Sequence, residues 1–486
     1  MTDRESDRCI VPQLELFEAS NTDNEKPGNS GVGKAATPTR DSDPPPSARS
    51  DGPTVTERLS YIHDRAQKQP TADFNNLYHL LKYDLLWFAF RRLKRDKAPG
   101  EDGVSVEDYE TNLRSNLKDL ESRLQRGAYR PHPSLRKDIP KGNGKTRPLG
   151  LACVEDKIVQ RAIVMILEQI YEVDFIDTSF GFRPGRSCHG ALKALGSIIG
   201  KKRVSFISDS DIRAFFDEVD HDKLIELLRI RITDKPLLRL IVRFLKSGVM
   251  IDGNWWQTDQ GVPQGSVLSP LLANVYLHYV LDDWFEQQVR PRLQGEAYLI
   301  RYADDFICAF QYHNDAVRFQ EVLVKRLERF GLRLAEEKSK LLRFGRFAER
   351  DCREMNEGKP GVFDFLGFTH YCGHSRAGKF KLKRKTSKKK YRQKVQGMKD
   401  WLRANLTTPI TEVWPTLNRK LRGHYQYYGV NDNWKYLLSY REAVIGLVSR
   451  WMGRRSQRSM CRTKFYHEYL PRHALATPRR LTNLYA

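Results

Sequence analysis

The 486-residue chain has no run of about eighteen apolar residues. That excludes a helical membrane span and predicts no membrane partner. Its start, MTDRESDRCIVPQLELFEAS, lacks the basic opening and long apolar stretch of a secretory signal, which places the protein in the cytoplasm. Cysteine is sparse: seven residues, none in a C-x-x-C pair, so neither a zinc module nor a disulfide framework is expected. Cys308 reads as a small core residue. Acidic residues are also short, 60 against 83 Lys and Arg, for a net charge of +23. Residues 1–55 hold ten acids and six bases, a net of −4, which leaves +27 on the remainder. Such an excess points to a polyanion, most often nucleic acid.

Residues 1–55 are poor in apolar side chains and rich in Pro, Gly, Ser, Thr and Asp. They bury too little surface to offset ordering entropy and are expected to form a disordered tail. Helical spacing begins with TERLSYIHDRAQ and NNLYHLLKYDLLWFAFRRLKRD, and returns in VEDYETNLRSNLKDLESRLQRG and CVEDKIVQRAIVMILEQIYEVDF. SLRKDIPKGNGKTRPLGLA reads as two strands around a turn. RVSFISDSDIRAFFDEVDHDKL starts as a strand and becomes helical after Asp211. WWQTDQGVPQGSVLSPLLANVYL reads as a loop and then a helix. YLIRYADDFICAF is a β-hairpin, DAVRFQEVLVKRLERFGLRL an amphipathic helix, and SKLLRF and FDFLGFTHY are short strands. No internal repeat is present. The order fits an α+β chain with a split βαβ sheet carrying helices on one face.

From Arg376 to Lys394 there are eleven Lys and Arg and no acid. Aromatics interrupt the run, so contact with phosphates is preferred over a solvated face, with Lys388, Lys389 and Lys390 at its centre. The remainder reads as a small helical domain rich in Arg, Tyr and Trp. Tyr425, Tyr427 and Tyr428 read as core packing, with base stacking as the alternative.

The hairpin poses the sharpest chemical question. Asp304 and Asp305 are adjacent like charges inside an apolar run, and burying them unpaired is costly. A tight turn at the hairpin tip would carry them out of the core, and a divalent cation would relieve the rest. A third carboxylate should come from a neighbouring strand. Alternation in FISDSDI puts Asp209 and Asp211 on one face, with Asp211 at the strand end. Asp211, Asp304 and Asp305 are therefore expected to converge on two metal ions for phosphoryl transfer.

YADD with SDIRAFFDEVDH resembles a reverse transcriptase of the group II intron-encoded family. LWFAFRRLKRDKAPGEDGVS, IPKGNGKTRPLGLACVEDKIVQRAI, SFGFRPGRSCHGAL, QGVPQGSVLSPLLANVYL, LAEEKSKLLRFG, FDFLGF and LNRKLRGHYQYYGV follow in family order, from about Thr56 to Tyr485. The resemblance implies a right-hand polymerase: an N-terminal extension and fingers over 56–200, a palm over 201–370, and a basic linker with a helical thumb, the maturase domain, over 371–486. It implies Asp211 and Asp304 as ligands of two Mg2+ ions, with Asp305 assisting and the Ile212 carbonyl as an extra ligand. It implies Lys141 and Arg147 on the dNTP triphosphate, with Lys145 as a weaker candidate. Phe216 would be an aromatic gate beneath the sugar, and Gln264 and Gly265 would line the nucleotide. Lys338 resembles a primer-contacting lysine, and Arg183 and Arg186 lie in a loop suited to the template backbone.

The activity implied is RNA-directed DNA synthesis on an RNA template and primer, with intron RNA and a DNA target as further partners. Many relatives carry a zinc-type endonuclease with paired cysteines. Those pairs are missing here, and the chain is not expected to cut a second target strand itself. Two other readings stay open: a stand-alone reverse transcriptase recruited to host defence, and a splicing maturase in which polymerisation is secondary.

Overall fold

A computed structural model describes residues 53–140, 146–455, 460–479 and 481–485. The expected tail ends sooner than composition suggested. A helix begins at Val55, capped by Thr54, whose hydroxyl accepts from the Glu57 amide while the Glu57 carboxylate accepts from the Thr54 amide. The rest of that tail lies outside the described residues, as do Lys141 and Lys145. No helix among the described residues is long and apolar enough to cross a membrane.

Among the described residues eleven strands form three sheets. Strands β1 (Ser134–Pro140), β2 (Thr146–Leu151), β4 (Val249–Ile251) and β5 (Asn254–Trp256) make one, in the order β2-β1-β4-β5. β5 corrects the sequence reading, which took its residues as loop. Three residues are too few to show alternation.

The central sheet contains β3 (Phe206–Asp211), β6 (Ala297–Tyr302), β7 (Asp305–Phe310) and β8 (Lys340–Arg343), in the order β6-β7-β3-β8. Neighbours are antiparallel throughout. β3 and β6 are thus parallel with β7 between them, and β7 and β8 are parallel with β3 between them. Helix His313–Arg329 bridges the second pair. These are two split βαβ crossovers.

Every residue of β3 and β7 is buried. Phe206, Leu299, Phe306, Cys308 and Phe310 pack into one core with helices Val154–Asp174, Ser269–Leu277 and His313–Arg329. Ile207, Ile300, Ile307 and Ala309 pack into a second core with helix Cys188–Lys201 and the C-terminal helices Ile410–Tyr428 and Trp434–Arg454. The expectation of helices on one face is therefore corrected: both faces are covered. That is why the residues flanking the aspartates are continuously apolar rather than alternating.

The third sheet joins β9 (Phe363–Phe365), β10 (Phe368–His374) and β11 (Phe380–Thr386), in the order β11-β10-β9. The stretch expected as a basic linker is instead β11 and the first turns of helix Lys388–Ala404. Tyr425 and Tyr428 are buried, and the Tyr427 hydroxyl donates to the Leu366 carbonyl at 2.8 Å, so these rings pack the core.

Candidate active site

The end of β3 meets the start of β7. Asp211 and Asp305 are direct partners in the antiparallel register, so their side chains share one face. Asp304 precedes Asp305 in the two-residue turn from β6. Ala303, the other turn residue, holds a left-handed φ of +58°. Asp211 lies far from this turn along the chain, yet the sheet order places them side by side. All three carboxylates are buried.

Two contacts come from loops. A Cβ on Gly181 would lie 2.2 Å from the Ala303 amide nitrogen, so the SFGF loop presses its backbone against the turn. The Lys338 ammonium stands 3.6 Å from Asp211 Oδ2. It is brought there by a turn anchored on the Ala335 amide, which donates to the Asp211 carbonyl at 2.8 Å. Lys338 was expected on a primer; the structure sets it against the Asp211 carboxylate. Ile212 is fully buried and bridges to Leu334.

Arg147 leads a second arrangement. Its Nε donates to Gln264 Oε1 at 2.8 Å, and Gln264 Nε2 donates to Asp217 Oδ1 at 3.0 Å. One chain of hydrogen bonds thus ties β2, the VPQGS loop and the short helix Phe215–Glu218. Asp217 was missed in the sequence, where it is one acid among several in a helical run. Phe216 is buried edge-on to Phe182 and Phe215, and its carbonyl accepts from the Val262 amide at 2.7 Å. Gly265 has φ +106°, and a Cβ there would fall 2.6 Å from the Gly150 carbonyl. Its need for glycine comes from the protein's own backbone.

The donor set is hard oxygen at the ends of adjacent strands, the chemistry magnesium prefers. Among the described residues no three Asp, Glu, His or Cys side chains are already gathered around one point. The carboxylates fit the ion by chemistry and register.

The sequence profile of the reverse transcriptase (RNA-dependent DNA polymerase) family matches residues 139–370, which take in the end of β1, all of β2 and the whole central sheet. The group II intron-encoded protein LtrA of Lactococcus lactis subsp. cremoris is 36% identical over 286 residues, 58% of this chain and 45% of that protein. Residues 139–370 thus form a reverse transcriptase domain similar to those of group II intron-encoded proteins. Protein YkfC of Escherichia coli (strain K12) is 39% identical over 203 residues, 41% of this chain and 52% of that protein. Nuclear intron maturase 2, mitochondrial, of Arabidopsis thaliana is 29% identical over 178 residues, 28% of this chain and 24% of that protein. The first two matches thus span about half of each relative's length.

Other residues expected to meet nucleic acid lie in different settings. Arg183 is turned inward. Its Nε meets Glu172 Oε2 at 3.1 Å, and its Nη1 donates to the Ile176 and Ser179 carbonyls at 2.6 and 2.7 Å. It holds its own loop, and its donors do not face solvent. Arg186 is half-buried and pairs with Asp177 at 2.8 Å. Lys388 is exposed, and Lys389 and Lys390 are half-buried, in the first turn of their helix.

Proposed function

We propose that this chain is an RNA-directed DNA polymerase that extends a primer on an RNA template and also binds intron RNA to promote splicing. The in-register pairing of Asp211 with Asp305, with Asp304 in the adjoining turn, carries this reading. Fingers, palm and thumb then correspond to the β1–β2 region, the central sheet and the C-terminal helices.

Two magnesium ions held by Asp211, Asp304, Asp305 and the Ile212 carbonyl would activate the primer hydroxyl and neutralise charge on the leaving pyrophosphate. The chain's own groups supply position. Arg147 offers a planar fork suited to triphosphate oxygens, and Gln264 orients it from Asp217. Lys141 is assigned to the same phosphates, by its resemblance to the family, as a point charge. Phe216 forms an apolar floor for the sugar, where a 2′-hydroxyl would lack both room and a partner. Lys338 keeps positive charge at Asp211 and limits carboxylate repulsion before substrate binds. Lys388, Lys389, Lys390 and Arg186 meet template, primer or intron phosphates. The intron-encoded and maturase relatives support the splicing role over recruitment to host defence.

Primer extension on an RNA template tests the reading. Wild-type protein should add dNTPs, and Asp304→Ala should not. Equal extension by the two proteins would sink it.

A further inference from the structure

Strand β6 carries one charged residue, Arg301, and it is completely buried. A guanidinium in the core needs a partner for each donor. Asp282, also completely buried, takes two: Nε donates to Oδ1 at 2.8 Å and Nη2 to Oδ2 at 2.5 Å. This bidentate fork fixes the plane of the arginine. The remaining Nη1 donates to Asn274 Oδ1 and to the Ala303 carbonyl, each at 2.9 Å. Ala303 is the left-handed residue of the turn, immediately before Asp304.

Asn274 extends the network. Its Nδ2 donates to the Gly181 carbonyl at 2.7 Å, and Gly181 is the residue pressed against the Ala303 amide. Above and below, the Arg301 backbone donates to the Thr178 carbonyl and accepts from the Phe180 amide, both at 2.9 Å. The turn is therefore gripped from its carbonyl side by Arg301 and from its amide side by the Gly181 loop. Asn274 joins the two grips.

The helix that supplies the acceptors is shaped for this. Asn274 and Asp282 are eight residues apart, which in an unbroken α-helix would carry them about 80° past two full turns. A π-helical turn over His278–Asp282, with more residues per turn, takes back much of that excess. Both side chains then reach the one arginine.

Stability alone does not demand such a network, since a buried ion pair replaced as a pair by apolar residues often leaves a fold equally stable. We propose that Arg301, held by Asp282 and Asn274, is a positioning residue: it fixes the Ala303–Asp304 turn and so the place of the Asp304 carboxylate. The catalytic consequence rests on the polymerase reading; the effect on the turn does not.

The double variant Arg301→Met with Asp282→Leu removes both charges together and avoids stranding either one. It should fold, with a melting temperature and template–primer affinity near wild type. Amide exchange of the peptide spanning 302–306 should rise about tenfold, with β3 unchanged. Primer extension should fall about a hundredfold in kcat with little change in the KM for dNTP, as expected from a reacting group displaced by about 1 Å. A folded double variant with wild-type exchange and wild-type kcat would reduce the network to packing. Should the double variant fail to fold, Asn274→Ala removes the link to the Gly181 loop and one acceptor of Arg301 while leaving the Asp282 fork and the Ala303 contact in place, and unchanged exchange at 302–306 in that protein would equally overturn the proposal. If wild-type protein extends no primer, the polymerase reading fails, while the exchange measurement still decides the clamp.

Discussion

The central sheet and the C-terminal sheet handle charge in opposite ways. In the central sheet the aspartates lie on strands with both faces covered, and a buried arginine–aspartate pair sits beside them. In the C-terminal sheet β11 alternates: Leu382, Arg384 and Thr386 point inward, while Lys381, Lys383 and Lys385 are half-exposed. Interior charges act at short range in a low dielectric, where geometry governs their strength and salt scarcely reaches them. Surface lysines act over a broad area and are screened by salt. The first arrangement suits chemistry at one point, and the second suits grip along an extended polyanion.

The sharpest break in that comparison is Asp304→Ala. It should reduce primer extension about a thousandfold, on the scale of losing a group that stabilises charge in the transition state. RNA affinity and its salt dependence should not move, because the phosphate grip lies elsewhere. A fall in RNA affinity comparable to the fall in extension would mean that the two regions do not divide the work.

Two glycines set the same contrast in backbone form. Gly265 has φ +106° with the Gly150 carbonyl in the space of a Cβ, whereas Gly378, at φ +72° between β10 and β11, meets nothing within 4 Å. Gly265→Ala adds a clash to the left-handed strain and should destabilise the protein by about 3 kcal/mol. Gly378→Ala carries only the strain and should cost about 1 kcal/mol. Urea unfolding of both variants measures the difference, and equal midpoints would show that the approach to Gly150 is not tight.

Legibility in the sequence follows the same division. The hairpin, the β3 strand and the meeting of Asp211 with the Asp304–Asp305 turn were readable because two adjacent carboxylates within an apolar strand pattern are costly to bury unpaired and so mark a turn at a strand end. The two-sided burial of the sheet was not, since a buried strand looks the same whether its cover is one helical layer and a turn or two layers. Arg183 was misread for a related reason. Whether an arginine in a loop faces water depends on Glu172, which becomes its neighbour only when helix Val154–Asp174 packs. The basic run 376–394 looked uniform, yet strand alternation buries Arg384 and leaves its lysine neighbours facing outward. Asp217 carries no local signal, because the acceptor it offers Gln264 meets that side chain only once the chain has folded.

The C-terminal helices also contain a buried titratable group that marks them apart. His424 stacks on Tyr440 at 3.8 Å, and burial pushes its imidazole down to about 3, with Lys394 adding to the shift. Below its ordinary value of 6.5 the unfolded chain takes up a proton that the folded chain refuses. The stability this neutral ring permits is therefore complete above pH 6.5 and is lost as pH falls toward 3. At pH 5 the loss is about 2 kcal/mol. His424→Phe should narrow the gap between urea midpoints at about pH 5 and about pH 7.5 by that amount. An unchanged gap would mean that the ring is protonated in the folded protein.

The smallest effect falls on the exposed side. Lys388, Lys389 and Lys390 occupy the first turn of a helix, where the macrodipole disfavours positive charge. Replacing all three with glutamine should therefore stabilise the fold slightly, by about 0.5 kcal/mol, while RNA affinity falls about tenfold and the slope of log affinity against log salt flattens by about 2 to 3. Gaining stability while losing binding is what a surface shaped by its partner should show. Unchanged affinity across the salt series would remove this turn from the RNA interface.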